Sequence, residues 1–152
     1  MFLRTLCVFV MIVTLFSFLN NHGHSEESDR IATTPDYTAQ AWHALLEGDH
    51  EEVVRQATLC LEDLGEVATR QQRAGKEISN VNAENFPELN SVGTCLFILG
   101  RSWQKKGNHK EATDAYKRLI KDYEDARCKN QEGYFWRPAV AAQKRLAELK
   151  PE

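Results

Sequence analysis

Apolar side chains recur every three or four positions through most of the chain beyond residue 34, which is the spacing of an α-helix with one buried face. Together with capping and stopping residues, this pattern predicts five helices at about 34–47, 51–73, 91–106, 109–123 and 138–149. The segments between them that carry turn formers without a period, 76–90 and 126–137, are predicted to be irregular. No segment alternates apolar and polar residues as a strand does, so the predicted fold class is all-α.

Residues at the predicted helix ends support these boundaries. Gly48 and Gly107 each follow a predicted helix, and a glycine there adopts the left-handed conformation that ends a helix. Asn108 and Glu111 have the spacing of a capping box at the start of the fourth helix. The helices are therefore expected to be sharply separated at these turns.

The beginning of the chain has the pattern of a secretory signal peptide. Arg4 is followed by a run of 14 mostly apolar residues, 6–19, which is shorter than the roughly 18 to 20 residues of a membrane-spanning helix. Gly23 and Ser25 then offer the two small side chains that signal peptidase accepts. We expect cleavage after Ser25 and export of the protein to the periplasm or the medium.

These signals divide the chain into a signal peptide at 1–25, a polar tether at 26–33 and one helical domain at 34–152. The alternative is that the first segment is not cleaved and that residues 5–19 anchor the protein in the membrane. Membrane contact is expected only in that case.

Charge and cysteine content narrow the classes of partner. Without residues 1–25 the chain has 18 basic and 22 acidic residues, a balance that does not suggest a nucleic-acid partner. Cys60, Cys95 and Cys128 remain, an odd number without the C-x-x-C spacing of a zinc site. No metal and no cofactor is expected.

The most specific motif lies within residues 93–126, which resemble a tetratricopeptide repeat (TPR). The resemblance rests on large residues that would be buried and small ones at a helix crossing and a turn: Leu96, Leu99, Gly100, Trp103, Gly107, Ala112, Tyr116 and Leu119. Two positions depart from the pattern, because Leu96 stands where tryptophan is frequent and Glu124 where proline is frequent. The resemblance implies two antiparallel helices that cross closely at Gly100 and Ala112.

The first two predicted helices match the same pattern more weakly. Their turn glycine, Gly48, lies 59 residues before Gly107, although a repeat is about 34 residues long. A long second helix and the 76–90 loop account for the excess. The expected architecture is therefore about two TPR-type helix pairs with an insertion, closed by the fifth helix as a C-terminal cap. Tyr134, Phe135 and Trp136 are expected to plug the open end of this helix stack. The alternative is that these three residues form a binding patch.

A stack of helix pairs offers a surface lined mainly by the first helix of each pair. The candidate peptide-binding residues lie on one face of the third helix and on the first helix: Thr94, Phe97, Arg101, Gln104, Lys105 and Trp42. Two cations beside an aromatic ring suit a peptide that carries a carboxylate. The alternative is an ordinary solvated face, with Phe97 partly buried against the first helix pair and Trp42 in the core.

The cysteines are also placed by the expected helix pairing. Cys60 falls on an apolar stripe and is predicted to be a buried free thiol. Cys95 lies near the start of the third predicted helix, and Cys128 follows the end of the fourth. Because an antiparallel pair brings these two ends together, any disulfide is expected to join Cys95 to Cys128.

The sequence shows no Ser-His-Asp or Cys-His arrangement, and an enzyme is not expected. The leading hypothesis is a non-enzymatic TPR adaptor or scaffold in the cell envelope that binds a protein or peptide. The alternative is a small structural subunit that forms a homo-oligomer through its repeat surface, because two repeats are fewer than the roughly three that stabilise a repeat stack alone.

Overall fold

The structure is a computed structural model that describes residues 36–130 and 132–149, except for the side chain of Lys76. In this part of the chain there are five α-helices: Tyr37–Glu47 (α1), His50–Gln72 (α2), Pro87–Lys105 (α3), His109–Asp122 (α4) and Pro138–Glu148 (α5). Between α4 and α5, strands Cys128–Lys129 (β1) and Phe135–Trp136 (β2) form an antiparallel hairpin. The all-α prediction is confirmed, with the hairpin as a small addition.

Consecutive helices pack against one another along the chain. α1 also contacts α3, and α3 also contacts α5, so that α3 lies at the centre of the domain. The most extensive interface joins α2 to α3. Between α1 and α2, the Tyr37 hydroxyl donates a hydrogen bond to the Asp63 carboxylate, which raises the pKa of Tyr37 to about 12.

The central position of α3 explains why it is buried on several sides. Its buried residues are Leu89, Val92, Gly93, Thr94, Cys95, Leu96, Phe97, Ile98, Gly100 and Ser102. A helix with one solvated face has an apolar stripe about 100° wide, whereas this set extends well beyond such a stripe. Small and weakly polar residues on α3 therefore face other parts of the chain and not solvent.

The two glycines that were predicted to end helices do so in the structure. Gly48 and Gly107 have φ angles of 80° and 77°, in the left-handed region that glycine adopts without strain. Asp36 and Asp49 cap the starts of α1 and α2 by accepting hydrogen bonds from the amides of Ala39 and Glu52. Residues 34 and 35, where the first helix was predicted to begin, lie outside the described residues. Asn108 makes no side-chain capping bond to the described part of α4, so the expected capping box is wrong.

The predicted loop at 76–90 is shorter than expected because α3 begins at Pro87 and not at Ser91. Proline suits the first turn of a helix, where its missing N–H would have no partner in the helix. The Gln71 side chain replaces the missing cap by accepting a 2.9 Å hydrogen bond from the Leu89 amide and donating to Glu88. The end of α2 thus holds the start of α3.

Side-chain amides also fix the insertion between α2 and α3, which contains 3₁₀ turns at Gly75–Glu77 and Ala83–Asn85. Asn90 donates to the Ala83 carbonyl at 2.7 Å and accepts from the Arg127 amide at 2.8 Å. Arg127 in turn donates to the Ile78 carbonyl at 3.2 Å. The chain after α4 is therefore tied to the insertion, which positions the hairpin beside α3.

Candidate functional site

Three of the six predicted binding residues lie together. The Trp42 ring on α1 lies 6.3 Å from the Phe97 ring on α3, measured between centroids. The Arg101 guanidinium, one helical turn beyond Phe97, lies over the Trp42 ring at 5.7 Å. This arrangement is a cation–π contact that holds the cation next to an aromatic surface.

Two predicted residues are core residues and not surface ones. Thr94 is only 5% exposed, and its hydroxyl lies 2.8 Å from both the Asn90 carbonyl and the Cys128 sulfur. Phe97 is 7% exposed, because Trp136 of the hairpin packs edge-on against it with centroids 5.3 Å apart. The sequence placed both on an open face because it did not predict the hairpin that covers them.

Gln104 and Lys105 have structural partners. Gln104 accepts a 3.0 Å hydrogen bond from the Tyr116 hydroxyl of α4. Lys105 donates to the Leu45 carbonyl at 3.1 Å, one of the last carbonyls of α1, which have no partner within that helix. Neither side chain belongs to the aromatic cluster at Trp42.

The aromatic cluster forms the floor of an open groove with a volume of about 710 Å³. We refer to it as the aromatic groove, and it is lined by Ala39, Trp42, His43, Leu46, Phe97, Lys129, Asn130, Trp136 and Ala141. Its walls are α1 on one side and the hairpin with α5 on the other. Leu46, which is 80% exposed, also lines the groove.

Sequence reasoning missed the second wall of this groove. The signal for it is the Tyr134-Phe135-Trp136 cluster, which was expected to plug the helix stack, with a binding patch as the alternative. Trp136 packs on Phe97 as a plug would, but Tyr134 is 69% exposed at the end of the hairpin. The cluster therefore divides between the core and the surface.

Charges around the groove are unevenly paired. His43 lies 3.3 Å from Glu47, and Lys129 forms an ion pair with Glu84. Arg101 forms no ion pair with any carboxylate in the described part of the chain. Arg101 contacts Trp42 but does not itself line the groove.

The three cysteines of the described region are free thiols, and the expected Cys95–Cys128 disulfide is absent there. Interaction with Cys60 of α2, followed by burial, raises the pKa of Cys95. Cys128 instead lies beside Thr94, and burial raises its pKa to about 11. Adjacent residues of a helix point about 100° apart, and Cys128 contacts the hydroxyl of Thr94, the residue before Cys95. Cys60 is fully buried, as predicted.

One histidine–serine contact joins α2 to α3. His50 Nδ1 lies 2.8 Å from the Ser102 hydroxyl oxygen, and the imidazole ring meets the Trp103 ring edge-on at 4.1 Å. Ser102 is only 4% exposed, so its oxygen is not accessible to a substrate. This pair therefore stabilises the helix contact and is not a nucleophile with its base.

The packing of His50 predicts a pH-dependent stability. Burial, and secondarily Lys106, lowers the pKa of His50 from the usual value of 6.5. The unfolded state then binds the proton at higher pH than the folded state, so stability present above pH 6.5 is lost as pH falls through the folded pKa. Melting temperatures should fall from about pH 7 to 5 in the native protein and less steeply in His50→Gln. His109→Gln, at an exposed helix start, is the matched control, and equal slopes in the native protein and His50→Gln would contradict the assignment.

We also searched the described region for a metal site and for a helix that could span a membrane. No group of three or more potential metal-ligating side chains occurs among residues 36–130 and 132–149. Within the same residues, none of the helices has the length and apolar character needed to cross a membrane. Comparison with known proteins gives no match to the chain among family models, curated proteins or solved structures.

Proposed function

We propose that this protein is an exported, non-enzymatic interaction module of the TPR type that binds a protein or peptide in the aromatic groove. The helix contacts support the repeat interpretation, since α1 pairs with α2, α3 pairs with α4, and the first helices of the two pairs also touch. In this interpretation α5 covers the end of the second pair. The proposed partner surface has α1, a first helix, as one wall and Phe97 of α3, the other first helix, at its floor. The hairpin and α5 form the opposite wall.

The observation that carries the proposal is the groove itself. Trp42, Phe97 and Trp136 meet at one depression, and an exposed leucine borders it. Aromatic residues clustered at a concave surface are typical of the residues that dominate binding energy in protein interfaces. The proposed role is that of an adaptor or scaffold in the cell envelope.

The test is an unbiased peptide selection. Phage-displayed random peptides are selected on the protein and then tested against Leu46→Asp, which places a charge in the groove without disturbing a buried residue. Val81→Asp is the matched control, because Val81 is 97% exposed and does not line the groove. We expect binders that Leu46→Asp abolishes and Val81→Asp retains. Their absence would contradict the proposal, as would a hydrolytic activity lost in a single-residue variant.

Export is a separate prediction, and the segment that carries it lies outside the described residues. The intact mass of the exported protein should correspond to residues 26–152, because signal peptidase is expected to cut after Ser25. A mass that includes Met1 would support the alternative in which residues 5–19 remain as a membrane anchor.

A second candidate is a structural subunit that self-associates through the same surface. The 80% exposure of Leu46 favours it, since exposed apolar patches are often covered in an oligomer. Light scattering on residues 26–152 separates the two candidates. A monomer with stable helices supports the adaptor, and an obligate dimer supports the structural subunit.

A further inference from the structure

Two buried cysteines lie on the two helices that share the most extensive interface of the domain, α2 and α3. Cys60 of α2 and Cys95 of α3 are both 0% exposed and belong to the same hydrophobic core cluster. Neither of them lines the aromatic groove. The pair is therefore separate from the proposed binding surface.

Contacts near both ends of the interface show which side of α3 faces α2. Near the start of α3, Glu88 accepts a hydrogen bond from the Gln71 side chain of α2. Near the end of α3, the Ser102 hydroxyl oxygen lies 2.8 Å from His50 Nδ1 of α2. Cys95 is seven residues from both Glu88 and Ser102, a spacing of about two helical turns. Cys95 therefore lies on the same stripe of α3, midway between the two contacts.

Cys60 has the corresponding position on α2. It lies ten residues after His50 and eleven before Gln71. Eleven residues are about three turns of an α-helix, so Cys60 is on the same side of α2 as Gln71. The end of α2 meets the start of α3 and the start of α2 meets the end of α3, so the two helices run antiparallel. The midpoints of the two contacts therefore coincide, and Cys60 lies opposite Cys95.

Helix packing brings such facing residues to the distance of a disulfide. The axes of packed helices are about 8–10 Å apart, and each Cα atom lies about 2.3 Å from its axis. Cα atoms that face each other directly are then about 5 Å apart, within the range of about 4.4–6.8 Å in disulfides. Interaction with Cys60, ahead of burial, raises the pKa of Cys95, in agreement with this alignment.

The third cysteine of the described region has other partners. The Cys128 sulfur lies 2.8 Å from the Thr94 hydroxyl oxygen and donates to the Asn90 carbonyl at 3.5 Å. Neither contact involves Cys95, which the sequence predicted as the disulfide partner of Cys128. The contacts between α2 and α3 favour Cys60 in that place.

From this alignment, we propose that Cys60 and Cys95, which are thiols in the structure, form a stabilising disulfide between α2 and α3 when the protein folds under oxidising conditions. The reaction is thiol–disulfide exchange with an external disulfide such as glutathione disulfide. The Cys60 thiolate attacks one sulfur of the external disulfide and releases the first thiol. The Cys95 thiolate then attacks the Cys60 sulfur and releases the second.

This exchange removes two electrons and two protons from the cysteine pair and reduces the external disulfide to two thiols. Because both sulfurs are fully buried in the folded domain, we expect the exchange to occur before α2 and α3 pack together. The disulfide would then link α2 to α3 across the insertion that separates them in sequence.

Peptide mapping tests the pairing. The full chain carries Cys7→Ser, so that the cysteine outside the described residues takes no part. It is unfolded with a reductant, refolded in a glutathione redox buffer, alkylated in denaturant and digested without reduction. We expect peptides joined through Cys60 and Cys95, and an alkylated Cys128. Alkylation of both Cys60 and Cys95, or a disulfide between either one and Cys128, would overturn the proposal.

Thermal unfolding tests the stabilisation. The two cysteines are 35 positions apart, and a crosslink over such a loop restricts the unfolded chain. Protein refolded in the glutathione buffer should therefore melt about 10 °C higher than protein refolded in dithiothreitol. Cys60→Ala should abolish this difference, and Cys128→Ala, the matched control, should retain it.

Equal melting temperatures of the two preparations, or a difference that Cys128→Ala removes, would contradict the proposal. Because the peptide map is made with Cys60 and Cys95 both present, the pairing stays testable if Cys60→Ala folds poorly. Neither experiment depends on export or on groove binding, so their outcome is independent of the proposed function.

Discussion

Replacing Gly100 with alanine is expected to lower the free energy of unfolding by about 1–3 kcal/mol, because the new methyl group has no space. A Cβ atom at this position would lie 2.3 Å from Cε1 of Tyr116 and 2.6 Å from its Cδ1. The Tyr116 ring is fully buried between α3 and α4, and its hydroxyl is held by Gln104. The ring therefore cannot move aside without breaking other contacts.

Gly65 provides the matched control, since it also lies inside a helix. A Cβ there meets only the Tyr123 hydroxyl at 3.9 Å, an ordinary contact. Gly65→Ala should therefore stabilise the protein by up to about 1 kcal/mol, because alanine loses less backbone entropy than glycine in a helix. Chemical denaturation of both variants measures the contrast.

A larger side chain extends the same test. Gly100→Leu should cost more than Gly100→Ala, since the excess volume at the crossing is greater. If neither Gly100 variant changes the denaturation midpoint, α3 and α4 do not cross at this residue. The basis for reading residues 93–126 as a close helix pair would then be lost.

The helices were predictable because the information for them is local. The apolar spacing of α1, the glycine at 48 and the proline at 138 each act within a few residues, and the helix bounds agree to within a few positions. The exception is the start of α3, where Gln71 of the preceding helix supplies the cap from a distance in sequence. No local signal marks such a partner.

The hairpin was missed for a related reason. Its strands, Cys128–Lys129 and Phe135–Trp136, have two residues each, which is too short for an alternating pattern to appear. Its position is set instead by Asn90 and by the packing of Trp136 on Phe97. Both interactions join residues more than thirty positions apart in sequence.

Three of the six residues predicted for the candidate site lie together in the structure. Helical spacing placed Phe97 and Arg101 on one face of α3, and the contact of α1 with α3 brings Trp42 to them. Spacing alone did not show that Thr94 faces Cys128 or that a second wall stands opposite α1. The missing part depends on the chain after α4, where no regular pattern is present.

The second large effect is expected at Phe97, whose ring belongs both to the core and to the floor of the aromatic groove. It is 7% exposed and lies near three other aromatic rings: those of Trp42, Tyr116 and Trp136. Phe97→Ala removes these contacts and leaves a cavity that the surrounding helices cannot fill completely. The free energy of unfolding should fall by about 3–5 kcal/mol, as for other buried phenylalanines.

Tyr134→Ala is the matched control for loss of an aromatic side chain. Tyr134 is 69% exposed on the hairpin, so its removal should change the free energy of unfolding by no more than about 0.5 kcal/mol. Urea denaturation of the two variants decides whether Phe97 is primarily a core residue. A loss at Phe97 no larger than that at Tyr134 would mean that the ring is solvated and that Trp136 does not cover it. Because Phe97→Ala is expected to destabilise the fold, groove binding is better tested with Leu46→Asp, whose side chain carries no part of the core.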